Sequence, residues 1–299
     1  MLSDKVVLVT GGTGSFGNQC VKTLLAEQKP KKVIIFSRDE LKQSEMMSRF
    51  TPSELDRLRF FIGDVRDKER LCMAAQGTDL ILHAAALKRV ETAEYNPIEA
   101  IKTNIYGTQN IIEAAISASV PKVILLSTDK AVNPLNLYGA SKLCADKLFV
   151  AANSYGSRTK TKFSVVRYGN VLGSRGSVVP LFEAMRSSGV VKITDPKMTR
   201  FWLTLGEGVR FVLSCVEKMS GGEIFVPKIP SMSIVDMAST IAPGCKHEFV
   251  GIRPGEKLHE VMIGNDDAKF TFEYEDYFKI CPAFQGLWSD KDSLDVSGG

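Results

Sequence analysis

Four glycines fall within seven residues, Gly11-Gly12-Thr13-Gly14-Ser15-Phe16-Gly17, after an apolar run, Lys5–Thr10, and before a segment of helical pattern. The spacing satisfies GxGxxG from Gly12 and GxxGxxG from Gly11. Glycines let the backbone turn tightly and approach a pyrophosphate, whose charge then sits at a helix N-terminus. The pattern requires a buried strand that leads at once into a helix. The first half of the chain repeats that order. Lys32–Ser37, Leu58–Ile62, Asp79–Leu82, Lys122–Leu126 and Phe163–Arg167 read as buried strands rich in β-branched residues, and helical patterns such as Pro97–Ser117 and Leu137–Ala152 lie between them. The alternation predicts right-handed βαβ crossovers and an α/β fold of Rossmann type: a doubly wound parallel sheet with helices on both faces.

After residue 169 the pattern loosens. Gly, Pro and Ser become frequent, and Val178–Ser187, Leu205–Lys218 and Ile234–Ala242 read as short helices. We expect residues 1–168 to form a dinucleotide-binding unit to which 205–233 return, and 169–204 with 234–299 to form a smaller C-terminal substrate-binding unit. The polar end, Trp288–Gly299, reads as a frayed tail.

Composition narrows the function. With 299 residues, 44% of them hydrophobic, the chain can bury a large core. The formal charge of +4 is spread along the chain, so it favours an anionic small molecule at least as well as nucleic acid, and no nucleic-acid partner is expected. Six cysteines without a CxxC pair and only three histidines argue against zinc, any other metal site or a disulfide framework. No apolar stretch approaches the roughly 18 residues a membrane span needs, and no leader pattern opens the chain. A soluble, cytoplasmic protein is expected.

The end of the second strand bears on the nucleotide. Ser37 and Arg38, with Lys42 one turn on, suit a 2′-phosphate and so favour NADP. Asp39 can still serve the ribose of NAD, or cap the next helix. Asp64-Val65, after the third strand, can contact an adenine, and the small run Ala84-Ala85-Ala86 offers a surface for a cofactor to lie against.

Tyr138-Gly139-Ala140-Ser141-Lys142 places a phenol and an amine four apart on one helix face, with Thr128 ten residues earlier at a strand end. A neighbouring ammonium and a nicotinamide cation would lower the phenol's pKa and make it a usable base. Thr128 can hydrogen-bond the same substrate oxygen. With Asn104, these residues resemble the short-chain dehydrogenase/reductase superfamily, in its extended nucleotide-sugar branch. Ser127-Thr128-Asp129-Lys130 adds an acid and an amine that a simple dehydrogenase or a 4-epimerase does not need. Dehydratases of this branch typically carry Asp-Glu there; a neutral Lys130, its pKa lowered by burial and by Lys142, can take a C5 proton acidified by a C4 ketone.

The stretch Ser127–Phe149 resembles the inverting UDP-N-acetylglucosamine 4,6-dehydratases that open pseudaminic acid synthesis. The likeness runs through Phe36–Gln43, His83–Pro97, Val165–Phe182, Ile193–Leu205 and Gly251–Ile263, nearly the whole chain, and fits least after about Cys281. It implies a redox-neutral cycle: Tyr138 takes the C4 hydroxyl proton as hydride passes to NADP⁺, Lys130 removes the C5 proton, and Asp129 protonates the departing C6 hydroxyl. Hydride then returns to C6 and C5 is protonated from the opposite face. The product would be UDP-2-acetamido-2,6-dideoxy-β-L-arabino-4-hexulose, destined for flagellin or a surface polysaccharide.

Around the cofactor the resemblance places Gly11, Thr13, Gly14, Ser15, Phe16, Gly17, Ser37, Arg38, Lys42, Asp64, Val65, Ala84, Ala85, Ala86, Asn104, Tyr138, Lys142 and Tyr168. Around the substrate we expect Asn170, Arg200, Arg253 and Lys88 near phosphates or sugar, Glu256 at the uridine ribose, Ser177, Val178 and Val179 at the uracil, and Thr194 beside them. For each of these a solvated charge or an ion pair between the two units is the plainer alternative. His83 and His259 read as packing residues, and Met198 and Trp202 as core. The helices Pro97–Ser117 and Leu137–Ala152 resemble those that pair into a four-helix bundle, so a homo-oligomer, a dimer or hexamer, is expected. Three other functions stay open: a UDP-hexose 4-epimerase, a C5-retaining dehydratase, and an NADP-sensing binding protein.

Overall fold

The computed structural model describes residues 2–155, 160–174 and 177–283; the tail Trp288–Gly299 lies outside the described residues. The six apolar runs become β1 (Val6–Thr10), β2 (Lys32–Ser37), β3 (Leu58–Ile62), β4 (Leu80–His83), β5 (Lys122–Thr128) and β6 (Lys162–Tyr168). Beyond Gly169 the chain adds β7 (Asn170–Leu172), β8 (Val190–Ile193), β9 (Thr199–Thr204), β10 (Ile224–Pro227), β11 (Ser231–Ser233), β12 (Lys246–Phe249), β13 (Thr271–Glu273) and β14 (Tyr277–Ile280).

Nine strands form the main sheet, in the order β13-β14-β10-β6-β5-β4-β1-β2-β3. From β3 across to β10 every pair is parallel, as the βαβ alternation requires. The strands are buried because helices cover both faces: Leu8, Ile35, Val123 and Val165 are fully enclosed. Each such side chain contributes roughly 1.5–3 kcal/mol by leaving water. The strand order reverses between β1 and β4, which opens a crevice at the carboxyl ends of the strands.

Residues 205–233 supply the helix Leu205–Lys218, packed on the helix Ser15–Thr23, and the parallel strand β10. The antiparallel hairpin β13–β14 also joins this sheet, although it lies within the 234–299 segment allotted from sequence to the smaller unit. A second apolar cluster gathers Phe182, Val191, Ile193, Met198, Trp202, Ile234 and Met237. Met198 and Trp202 are thus core, as expected.

Pro97–Ser117, expected as one helix, runs as Pro97–Ile101, a π-helical turn Lys102–Tyr106 and Gly107–Ser117. Gly107, directly after the wide turn, packs so closely on Val65 that a Cβ there would lie 2.8 Å from Val65 Cγ2. The wide turn carries Asn104 inward. Among the described residues no helix is long and apolar enough to cross a membrane, and the six cysteines are unpaired.

Candidate active site

The glycine loop lies where the crevice opens. Gly11 has φ +64°, and a Cβ on it would come within 2.9 Å of Ala85 N, so the loop and the Ala84–Ala86 run are in backbone contact. A Cβ on Gly17 would strike Gly12 O at 2.3 Å. Thr13 and Gly14 cross the end of the sheet, Ser15 opens the helix, and Phe16 packs on the core. That helix has no acidic residue in its first turn and no side-chain cap, which suits a bound anion.

Asp39 is committed elsewhere: its carboxylate accepts from Lys42 N at 3.0 Å and Lys42 Nζ at 2.5 Å, capping the helix Glu40–Met47. Ser37 Oγ accepts from Gln43 Nε2 at 3.0 Å and keeps its proton to donate. Arg38 is half-exposed and touches Asp64 at 3.5 Å. Burial pushes the Asp64 carboxyl up, but hydrogen bonds from Arg66 outweigh it and hold the group below the usual range. Val65 is buried beneath, against Gly107.

The chemistry-bearing residues meet where β5 ends. Thr128 leads into a single 3₁₀ turn, Asp129–Ala131, and the helix Leu137–Ala152 starts opposite. Asn136 caps that helix, accepting from Gly139 N at 2.8 Å while its Nδ2 donates to Gly255 O. Asp129 is 0% exposed. Its Oδ1 accepts from Thr128 Oγ1 at 2.9 Å and Lys130 Nζ at 3.0 Å, and its Oδ2 has no partner. Lys130 Nζ also donates to Asn170 Oδ1 at 3.1 Å and lies 3.7 Å from Glu260 Oε1.

Two expectations need correction. The groups that meet the Lys130 amine are two carboxylates and an amide, whereas Lys142 Nζ donates to Leu126 O at 2.7 Å. The Tyr138 phenol is not lowered by the protein's own groups: burial pushes it well above its ordinary value, a hydrogen bond with Thr128 pulls down, and the charges of Asp129 and Asp146 push up again. Burial also drops Lys142 to about 8, against an upward pull from Asp146.

Asp146 and Arg167 escaped the sequence reading. Both are fully enclosed, and Arg167 Nη2 donates to Asp146 Oδ2 at 3.3 Å. Arg167 Nη1 donates to Met262 O and Asp267 Oδ2, tying the helix Leu137–Ala152 to the C-terminal segment. Burial pushes the Asp146 carboxyl up, opposed by Arg167 and Lys142. The i, i+4 step from Lys142 to Asp146 was a visible signal, as was a charge inside the apolar run of β6.

Asn104 is 1% exposed, with Nδ2 donating to Leu87 O and Ser141 Oγ and Oδ1 accepting from Leu87 N. It braces the loop after β4 against the helix Leu137–Ala152. Tyr168, buried, is in register with Thr128 across β5 and β6. His83 Nδ1 shares a hydrogen bond of 2.7 Å with Thr10 Oγ1, the ring stacks on Phe149, and burial lowers it to about 3. It packs, as expected. His259 does not: it is exposed and meets Thr199 Oγ1 at 2.8 Å.

The substrate candidates divide. Arg200 is buried; its Nη1 donates to Thr199 O and Leu258 O, and it has no carboxylate partner among the described residues. Ser177 Oγ and Glu256 Oε2 are buried without a partner. Val178 and Val179 lean on the second apolar cluster. Thr194 is half-buried after β8, Lys88 is exposed at the rim, and Arg253 is exposed and paired with Glu91 at 3.4 Å.

The model of the family described as polysaccharide biosynthesis protein matches residues 7–282. The chain is 56% identical, over 98% of its length and 87% of the relative's, to the UDP-N-acetylglucosamine 4,6-dehydratase (inverting) of Campylobacter jejuni subsp. jejuni serotype O:2. It is 41% identical, over 94% of its length and 84% of the relative's, to a UDP-glucose 4-epimerase of Rickettsia canadensis. The X-ray structure of Pen from Bacillus thuringiensis superposes with a TM-score of 0.90, at 38% identity, covering 95% of this chain and 89% of that one. The chain therefore belongs to the polysaccharide biosynthesis protein family and has the extended short-chain dehydrogenase/reductase fold.

Proposed function

We propose that the chain is a C5-inverting UDP-N-acetylglucosamine 4,6-dehydratase, a hydro-lyase with NADP as resident cofactor, acting in the cytoplasm as a homo-oligomer at the first step of pseudaminic acid formation. The observation that carries the reading is the Asp129–Lys130 pair, an enclosed acid and an amine 3.0 Å apart beside Thr128, in a chain 56% identical to an enzyme of that name.

The cradle suits the dinucleotide: Gly11 and Gly17 let the loop pack on Ala85 and on Gly12, which holds the uncapped N-terminus of the helix Ser15–Thr23 ready for a pyrophosphate, and Arg38, Lys42 and Ser37 would answer a 2′-phosphate. Bound NADP⁺ supplies the hydride acceptor for C4, the donor for C6, and a positive charge that offsets the raised pKa of Tyr138. Thr128 orients the C4 hydroxyl and Tyr138 takes its proton. Lys130 removes the C5 proton, and Asp129 protonates the leaving C6 oxygen, so that water departs. The unpartnered Oδ2 is the oxygen able to carry that proton, since Thr128 and Lys130 occupy Oδ1. C5 is then protonated from the opposite face.

Arg200, Lys88, Arg253 and Asn170 would meet the diphosphate and sugar. The buried, unpartnered atoms of Ser177 and Glu256 would find partners in the uridine, with Val178, Val179 and Thr194 beside it. Residues 1–168 with 205–233 would hold the cofactor, and the segments about the second apolar cluster the sugar nucleotide. The 41% identity to a UDP-glucose 4-epimerase favours epimerisation as the second reading.

Incubation with UDP-N-acetylglucosamine in heavy water, followed by proton NMR, separates the two. Growth of a C6 methyl signal with deuterium at C5 is the expected result, and ring couplings report inversion. A UDP-N-acetylgalactosamine spectrum without C5 exchange would mean an epimerase.

A further inference from the structure

We propose that Glu260 is a positioning residue for the elimination step: the counter-anion of the Lys130 ammonium that forms when the C5 proton is taken. This rests on the dehydratase reading. Glu260 comes from a segment outside all three sheets, yet its side chain is only 3% exposed. Its Oε1 lies 3.7 Å from Lys130 Nζ, and its Oε2 lies 3.4 Å from Lys257 Nζ. Lys257 is itself fixed by donating to Val132 O at 2.5 Å. The charged groups paired with the Lys130 amine are thus Asp129 and Glu260, with Lys257 behind the latter.

Two carboxylates around one amine suit a divided task. Asp129 must carry a proton to release the C6 hydroxyl as water, and while it does so it is neutral. Lys130 becomes an ammonium when the C5–H bond breaks and the electron pair passes into the C4 ketone as an enolate. At that moment Asp129 cannot balance the new charge, and Glu260 is the anion already in place. A preoriented charge aimed at one that develops during reaction, inside an enclosed site, acts chiefly on the barrier. The proton count closes: Lys130 gains the C5 proton, Asp129 loses its own to the leaving oxygen, and Glu260 stays ionised throughout.

The test compares Glu260→Gln and Glu260→Asp with the unaltered protein, each loaded with cofactor. Three readouts are followed in single turnovers: the near-ultraviolet band of reduced nicotinamide, deuterium entry at C5, and the C6 methyl signal. For Glu260→Gln we expect C4 oxidation and KM to change less than threefold, while deuterium entry slows about 100-fold, so that reduced nicotinamide accumulates. Glu260→Asp should recover much of the loss. An unchanged elimination rate in Glu260→Gln overturns the proposal. Equal loss of C4 oxidation and elimination, with no recovery in Glu260→Asp, also overturns it, because that marks a purely structural role. If the unaltered protein makes no C6 methyl product, the dehydratase reading itself fails and takes this proposal with it.

Discussion

A Cβ on Gly139 would lie 2.2 Å from the carbonyl oxygen of Lys130. The first turn of the helix Leu137–Ala152 therefore rests directly on the turn that carries Asp129 and Lys130, and the position between Tyr138 and Ala140 admits only a hydrogen. Gly139→Ala must push the two apart. We expect a stability loss of about 1–3 kcal/mol, as for other overpacked sites, with kcat falling more than substrate affinity. Thermal unfolding and steady-state kinetics on one preparation measure both.

The proposed preference for NADP rests on Arg38 and Lys42. Hydrogen bonds to a charged group are worth roughly 1.5–3 kcal/mol each, so Arg38→Ala with Lys42→Ala should weaken NADP binding at least tenfold and leave NAD nearly unchanged. Calorimetric titration with each nucleotide reads the difference. Tighter binding of NAD than NADP by the unaltered protein would assign the site to NAD.

On the proposed mechanism, Lys142 should act on catalysis and on stability in opposite directions. Its amine is depressed from 10.5 to about 8 by burial, with Asp146 pulling up. Between those values the unfolded chain binds the extra proton, so this group's contribution to stability rises from pH 8 to 10.5 and is lost as pH falls through about 8. On the proposed mechanism C4 oxidation should decline over the same rise, as the Lys142 ammonium discharges. Urea midpoints and single-turnover rates from pH 7 to 10 are expected to diverge, and Lys142→Met should remove the divergence.

His83 makes the protein acid-sensitive. Burial, aided by the Lys142 charge, lowers it to about 3 from 6.5. Its stabilising contribution is complete above pH 6.5 and lost as pH falls through about 3, a difference of roughly 5 kcal/mol at 1.36 kcal/mol per pH unit. His83→Asn should therefore show a shallower decline of the urea midpoint between pH 6.5 and 4, from a lower starting value because the Phe149 stacking is lost.

Strand and helix order was legible because each βα unit writes its own period into the chain: β-branched runs buried on both faces, then amphipathic segments. The glycine loop was legible for the same local reason, since a tight turn before a helix admits few residue types. Tyr138, Lys142, Thr128, Asp129 and Lys130 could be singled out because they lie within fifteen residues, on elements whose ends face one crevice.

What the sequence left open was decided across distance. Asp39 could have served a ribose, but the structure spends it on Lys42. Lys130 was expected to answer to Lys142 and instead meets Asp129, Asn170 and Glu260, the last brought from 130 residues away by a segment with no periodic signal. The Tyr138 phenol was expected to be low and is pushed up, because burial is a property of the assembled fold. Local spacing specifies which side chains share a face; which charge lies opposite, and how little water surrounds it, is set only when distant segments close over the same crevice.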